Sequence, residues 1–234
     1  MSITYVTGTQ TEHAQAVHDF LLDHFRVTEP ITTSLGATRD DVVDFFGDLR
    51  DGGLNTSYST LVFEGAELVA VSLNSVKDLV SDHTDPLPLD PYRDYAKSIQ
   101  NGPYCQHVAN QLVVFVETLE EDLPQLVTTP SRIFKIDVLC VRKDQQGKGL
   151  ARQLMERAFE SAKTAGCQYI GASATAIASQ TLFQKMGFRV IRELPFSCFR
   201  EDGVLVYQNL PDGGRSGKLM VLELDRSEED DDLK

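Results

Sequence analysis

An α/β domain is the fold class this sequence predicts, and three observations carry the expectation. The opening "ITYVTGTQTEHAQAVHDFLLDHF" passes from a short β-type run into an amphipathic helical pattern. "STLVFEGAELVAVSLNSV" is a pair of apolar runs joined at Glu64-Gly65, the turn chemistry of a hairpin. "SRIFKIDVLCV", rich in β-branched residues, leads into a polar loop with two glycines. A helical pattern follows in which Leu150, Leu154, Ala158 and Ala162 share one face and Gly166 supplies the stop.

The remaining elements follow in order. Three prolines in "HTDPLPLDPY" forbid regular structure, and a helical stretch from about Tyr92 to Glu121 is expected to break near Gly102-Pro103. "CQYIGASA" reads as a strand, "SQTLFQKMGF" as a short helix closed by Gly187, and "FRVIREL" and "GKLMVLEL" as the last strands, the second after the turn-rich "LPDGGRSG". No repeat or low-complexity linker divides the 234 residues, so a single domain over 1–225 is expected, with an acidic tail at 226–234.

With 41% hydrophobic residues the chain can bury one substantial core. Its net charge of −13 argues against a nucleic-acid partner, because phosphate neutralisation needs a basic face, and is compatible with a cationic substrate. No apolar run approaches the roughly 20 residues that span a bilayer, and "MSITYVTGTQTEHAQ" has neither a basic nor an apolar leader segment, so a soluble, cytoplasmic protein is expected. Cys105, Cys140, Cys167 and Cys198 form no C-x-x-C pair and are expected to be reduced thiols rather than a disulfide or metal framework.

In Gln146-Gly147-Lys148-Gly149-Leu150-Ala151 the glycines permit positive φ and close backbone approach, while the helix beginning near Gly149 aims its free N–H groups into the same space. That combination binds anions. The dinucleotide G-x-G-x-x-G and the nucleotide-triphosphatase loop are both absent. Taken alone, the glycine pair reads as an ordinary strand-to-helix turn.

The surroundings say more. Strand, Q-x-x-G-x-A loop, amphipathic helix, strand, short helix and "FQKMGF" occur in the order and spacing of the GNAT acetyltransferases, and 135–192 resembles their acetyl-CoA core. Within that superfamily the chain resembles insect-type arylalkylamine N-acetyltransferases through "VTEPITTSLG", "VRKDQQGKGLARQLMERAFESAKTAG" and "SQTLFQKMGFRVIRELPFSCF". The resemblance implies a central mixed, mostly antiparallel twisted sheet flanked by helices, with strands splayed at the acetyl-CoA site. It further implies that the pyrophosphate lies on the N–H groups of Gln146, Gly147, Lys148, Gly149, Leu150 and Ala151. Lys148 and Arg152 would supply charge, and the pantetheine arm would pair with Leu139, Cys140 and Val141. An added arm of this kind suits a row of unpaired strand amides.

Acetyl transfer to an amine needs a proton acceptor for the amine and a donor for the departing thiolate. Glu29, before Pro30, stands where the resembling enzymes carry a general base; without the resemblance it is a loop carboxylate. Thr175 and Ser179, four apart, fall where those enzymes carry two active-site serines, and equally read as a helix N-cap and an ordinary helical residue. Phe183 occupies a position where many GNAT enzymes have a tyrosine acid, which disfavours that mechanism, and Ala176 and Ser179 stand in place of the more usual Asn and Ala. His107 is the next acid or base by chemistry, though a lone His is more often a surface or core residue. Cys140 reads as strand packing. Phe45, Phe46, Tyr58 and Phe196 are candidates for an aromatic acceptor wall, and each reads as readily as core.

The function expected is acetyl transfer from acetyl-CoA to a small primary amine, an arylalkylamine such as dopamine, tyramine or serotonin, by direct attack in a ternary complex. The alternatives are a polyamine or protein-amine acetyltransferase and a silent acyl-CoA-binding module.

Overall fold

A computed structural model describes residues 2–80, 84–86 and 88–224. Seven strands form one sheet in the order β1-β2-β3-β4-β5-β9-β6. They are β1 (Ile3–Thr7), β2 (Thr60–Glu64), β3 (Glu67–Leu79), β4 (Ser131–Val141), β5 (Tyr169–Ala174), β6 (Arg189–Pro195) and β9 (Ser216–Glu223). Every neighbouring pair is antiparallel except β4 and β5. The expected hairpin turns at Gly65, whose φ of 64° only glycine adopts without strain.

Helices cover both faces. On one side α7 (Leu150–Thr164) and α8 (Ile177–Lys185) bury Met155, Ala158 and Phe183 against Phe134, Ile136 and Ala172 of the sheet. On the other, α1 (Gln10–Phe20), α3 (Arg39–Leu54) and α5 (His107–Glu120) bury Val17, Phe46 and Phe115 against Leu73, Val138 and Cys140. The expected helical face of α7 is the buried one, and Gly166 ends the helix at φ 67°. The stretch from Tyr92 to Glu121 breaks as expected at 101–106, into α4 (Ala96–Gln100) and α5, with the short α6 (Leu123–Leu126) behind. No element is expected above for 38–55, where α3 forms behind a Thr38–Asp41 capping box. A two-strand hairpin, β7 (Arg200–Glu201) and β8 (Val204–Leu205), also lies outside the expectations.

Two irregularities shape the centre. Leu73 faces Val138 and Asn74 faces Ile136, so Asp137 is the extra residue of a β-bulge. Because the side-chain period is two, Ile136 and Val138 would share a face in a regular strand. The inserted residue sends Ile136 to the α7–α8 core and Val138 to the other. The second irregularity is that β4 and β5 pair only at Ile133–Tyr169, Phe134–Ile170 and Lys135–Gly171, and then part. The acidic tail at 226–234 lies outside the described residues, as do the prolines' neighbours at 81–83 and 87.

Candidate active site

Where β4 and β5 part, a cavity of about 510 Å³ opens between them, lined by 136–141 of β4 and by 172–176 at and just past the end of β5. At its outer end the loop after β4 supplies Gln145, Gln146, Gly147, Gly149, Leu150, Ala151 and Arg152. Gly147 and Gly149 stand at φ 76° and 81°, and Gly149 is the N-cap of α7. A Cβ on Gly147 would meet nothing within 4 Å, so this glycine serves a backbone conformation and an open surface rather than protein packing. The first N–H groups of α7 lack partners within the helix and sit beside this opening, which makes an anion cradle of backbone dipoles.

The side chains expected to add charge behave differently from one another. Arg152 lines the cavity and pairs with Glu156 at 3.0 Å. Lys148 does not line it: its ammonium donates to Gln145 Oε1 at 2.7 Å, and the Gln145 amide donates to Glu64 Oε2 at 2.9 Å. Lys148 therefore braces the loop against the β2–β3 turn. Leu139, Cys140 and Val141 all line the cavity. Burial pushes the Cys140 thiol up to about 12, so at neutral pH it is packing and no nucleophile. The four cysteines are free thiols.

At the inner end, α1 passes into a wider turn over Leu21–Phe25, with Arg26 N–H reaching the Leu21 carbonyl five residues back. Turns of this kind are frequent at functional sites. The chain then delivers Phe25, Thr28, Glu29 and Pro30 to the lining. Glu29 is the N-cap of α2 (Pro30–Ser34). Its Oε2 accepts from Thr32 N–H at 2.7 Å and Thr32 Oγ1 at 2.5 Å; its Oε1 accepts from Ile31 N–H at 3.2 Å and, across 146 residues, from Thr175 Oγ1 at 2.7 Å. Burial raises the Glu29 carboxyl above its ordinary value of 4.5, against the opposing pull of those four hydrogen bonds.

Thr175 is thus a partner of Glu29 and not a helix cap, which corrects the capping alternative. The N-cap position of α8 is Ala176, without a side-chain cap, and the Ile177 N–H is taken by Asp212 Oδ2 at 2.8 Å. Ser179 lines the cavity and donates to the Ala176 carbonyl at 2.9 Å. Phe183 lines it too, 2% exposed. His107 does not: it is exposed, 3.1 Å from Glu201 Oε2. The expected aromatic wall does not form. Phe46 and Phe196 are in the α1–α3–α5 core, Phe45 packs on Phe46 and Tyr104, and Tyr58 packs on Phe134 in the opposite core. Each ring gained more by joining a core than by standing in a wet cavity. Among the described residues, Phe25 and Phe183 are the aromatic rings of the lining.

Asp137 and Ser173 line the cavity as well. A signal for the first was present as a lone carboxylate in the apolar run "KIDVLC"; nothing in the sequence marked the second. Among the described residues, no group of three or more His, Cys, Asp or Glu could hold a metal ion, and no helix is long and apolar enough to cross a membrane.

Residues 95–206, which include the loop and both splayed strands, match the family model of an acetyltransferase (GNAT) domain. The fold is similar to that of arylalkylamine N-acetyltransferase 2 from Aedes aegypti, at a TM-score of 0.76 and 19% identity over 96% of this chain and 100% of that one. It is similar also to the Drosophila melanogaster polyamine N-acetyltransferase that forms N-acetylagmatine, at a TM-score of 0.73 and 19% identity over 95% and 100%. An agmatine N-acetyltransferase superposes at 0.70 with 20% identity over 95% and 100%. At these identities the likeness is one of fold.

Proposed function

We propose that this chain, which has the GNAT acetyltransferase fold and a GNAT domain over residues 95–206, transfers the acetyl group of acetyl-CoA to a small primary amine by direct attack in a ternary complex. One observation carries the reading: the 2.7 Å hydrogen bond from Thr175 Oγ1 to the buried Glu29 carboxylate, on the wall of a cavity whose other end is an anion cradle.

The residues present suit acetyl-CoA. The Gly147–Gly149 loop would receive the pyrophosphate, and the unpaired edge of Leu139, Cys140 and Val141 would take the amide-bearing arm as an added strand. The thioester carbonyl is the electrophile that this donor supplies.

Glu29 takes the amine proton. A carboxylate offers about four lone-pair positions, and here four donors already occupy them. A proton therefore arrives through one of those donors, and Thr175, just past the end of β5, is the one whose residue lines the cavity. Its hydroxyl passes its own proton to Oε1 as its oxygen accepts one from the attacking amine or an intervening water. The amine nitrogen bonds to the carbonyl carbon, the carbon–sulfur bond breaks, and the sulfur leaves as a thiolate that accepts a hydrogen bond from the Ser179 hydroxyl, the amine proton remaining on Glu29. The raised carboxyl makes Glu29 a stronger base than an exposed glutamate.

The acceptor we favour is an arylalkylamine such as tyramine, dopamine or serotonin, with Phe25 as the contacting ring. A second reading, a polyamine or agmatine, is favoured by the sparse aromatic lining, where Phe25 and Phe183 are the two rings among the described residues, and by the two similar enzymes named for those amines. Thiol release from acetyl-CoA across tyramine, dopamine, serotonin, agmatine, spermidine and a lysine peptide tests both. Turnover with none of them would return the chain to a silent acyl-CoA-binding module.

A further inference from the structure

The deep end of the cavity is built from charge. Beyond the last paired residues, Lys135 and Gly171, the lining begins with Ile136 and Asp137 on one strand and Ala172 and Ser173 on the other, and its polar members are Asp137, projected by the bulge, and Ser173. Behind them Lys135, its side chain 10% exposed, donates to Glu120 Oε2 at 2.7 Å and lies 3.3 Å from Asp137 Oδ1. Ser173 Oγ donates to Glu120 Oε1 at 3.0 Å, and Ser75 Oγ donates to Asp137 Oδ2 at 2.6 Å. Every polar atom of this network has a partner, so it is a closed plug and not a vacant subsite.

We propose that this plug is an acyl-length stop that restricts the donor to acetyl and propionyl groups, an inference that rests on the acetyl-CoA reading above. The cradle fixes one end of the donor at the mouth, and Glu29 and Thr175 fix the level at which the carbonyl is attacked. The acyl carbons therefore point away from the mouth, toward Asp137 and Ser173. Thr175 and Ser173 are two residues apart along one chain, which is about 7 Å. Contact radii at both ends leave space for only one or two carbons. Each further methylene would have to lie against partly buried, hydrogen-bonded groups at Asp137 and Ser173 and strip them of water, gaining only the nearly covered surfaces of Ile136 and Ala172 in return. Toward α8 the lining is Ile136, Ala172 and Phe183, which at 5%, 2% and 2% exposure offer a longer chain little open surface.

The test is the ratio of kcat/KM for hexanoyl-CoA to that for acetyl-CoA, with one amine acceptor. In the unaltered protein the ratio should be 100-fold or more below one. Asp137→Ala removes the carboxylate nearest the cavity while leaving Lys135 its 2.7 Å partner Glu120, and should raise the ratio at least 10-fold. Calorimetric titration of both thioesters into the unaltered protein reads the same stop without turnover or mutation: hexanoyl-CoA should bind at least 10-fold more weakly than acetyl-CoA. Equal or tighter hexanoyl-CoA binding, a native ratio within about 3-fold of one, or an unmoved ratio in a folded Asp137→Ala protein overturns the proposal. Loss of all turnover, with the binding difference intact, would count against the transferase reading and leave the stop supported.

Discussion

The two ends of the cavity are built by opposite means. The outer end is backbone: two glycines at positive φ, the start of one helix and an unpaired strand edge, all within 138–152. The inner end is side chains, and its defining contact joins Glu29 to Thr175 across 146 residues. The difference teaches which substitutions matter where. At the outer end the field comes from oriented amides, so side-chain deletions should cost little and backbone changes much. At the inner end a single carboxylate is proposed to take the proton, so a near-isosteric change should stop the chemistry while leaving the structure whole.

The largest effect expected is at Glu29. Glu29→Gln keeps size and polarity, and its amide can still accept from Thr32 and donate to a rotated Thr175 hydroxyl. It should lower kcat/KM by about 10²-fold or more, equivalent to about 2.7 kcal/mol, with acetyl-CoA affinity from calorimetry within about 3-fold of the unaltered protein. A joint fall in donor affinity would mean that the two ends are not separable.

Next comes the backbone of the cradle. Gly149→Val places a β-branched residue at φ 81°, a region such residues avoid, and should weaken acetyl-CoA binding by about 10-fold or more in a protein that still melts cooperatively. Unchanged affinity in that protein would remove the cradle. Ser179→Ala should lower kcat by roughly 10-fold, at the low end for proton assistance, with donor affinity unmoved; an unchanged kcat would return Ser179 to an ordinary helical residue. Smallest is Lys148→Ala, for which a change in affinity of no more than about 3-fold is expected, since its ammonium serves Gln145.

The same contrast explains what could be read in the chain itself. The outer end is contiguous, so its strand, glycines and helix follow from local rules that need no partner: β-branched content, positive φ and a period near 3.6. The inner end depends on pairing at long range. Glu29 stood out only as the residue before Pro30, and nothing near Thr175 announces its bond to Glu29. The cap of α8 comes from Asp212, 35 residues on, which is why Thr175 also read as a cap. The bulge at Asp137 is a property of the β3–β4 register and could not be seen in β4 alone. The aromatic rings misled because their chemistry fits a core and a pocket equally, and only packing decides. The α3 helix, by contrast, had its signal in plain view in Thr38 and Asp41.

Burial of Glu29 also links the site to stability. Its carboxyl is raised in the fold, so the folded protein holds that proton more tightly than the unfolded chain. The stabilisation this provides is complete below the unfolded value of 4.5 and is lost as pH rises through the folded value. Wherever the group is ionised in the folded protein, its burial is a cost to stability. The melting temperature of Glu29→Gln relative to the unaltered protein should therefore climb as pH is raised from about 4.5 to 8. A relative melting temperature that stays flat or falls would mean that the four hydrogen bonds fully offset burial.

The central claim is that the buried Glu29 carboxylate is the proton acceptor, and the pH dependence of kcat/KM tests it most directly. The unaltered enzyme should show an acidic limb with a midpoint above 4.5, the direction in which burial moves Glu29. Glu29→Gln should lack that limb and should recover part of its rate as rising pH delivers the free amine. A Glu29→Gln protein that keeps the full rate and the same acidic limb would contradict the account and place the base elsewhere.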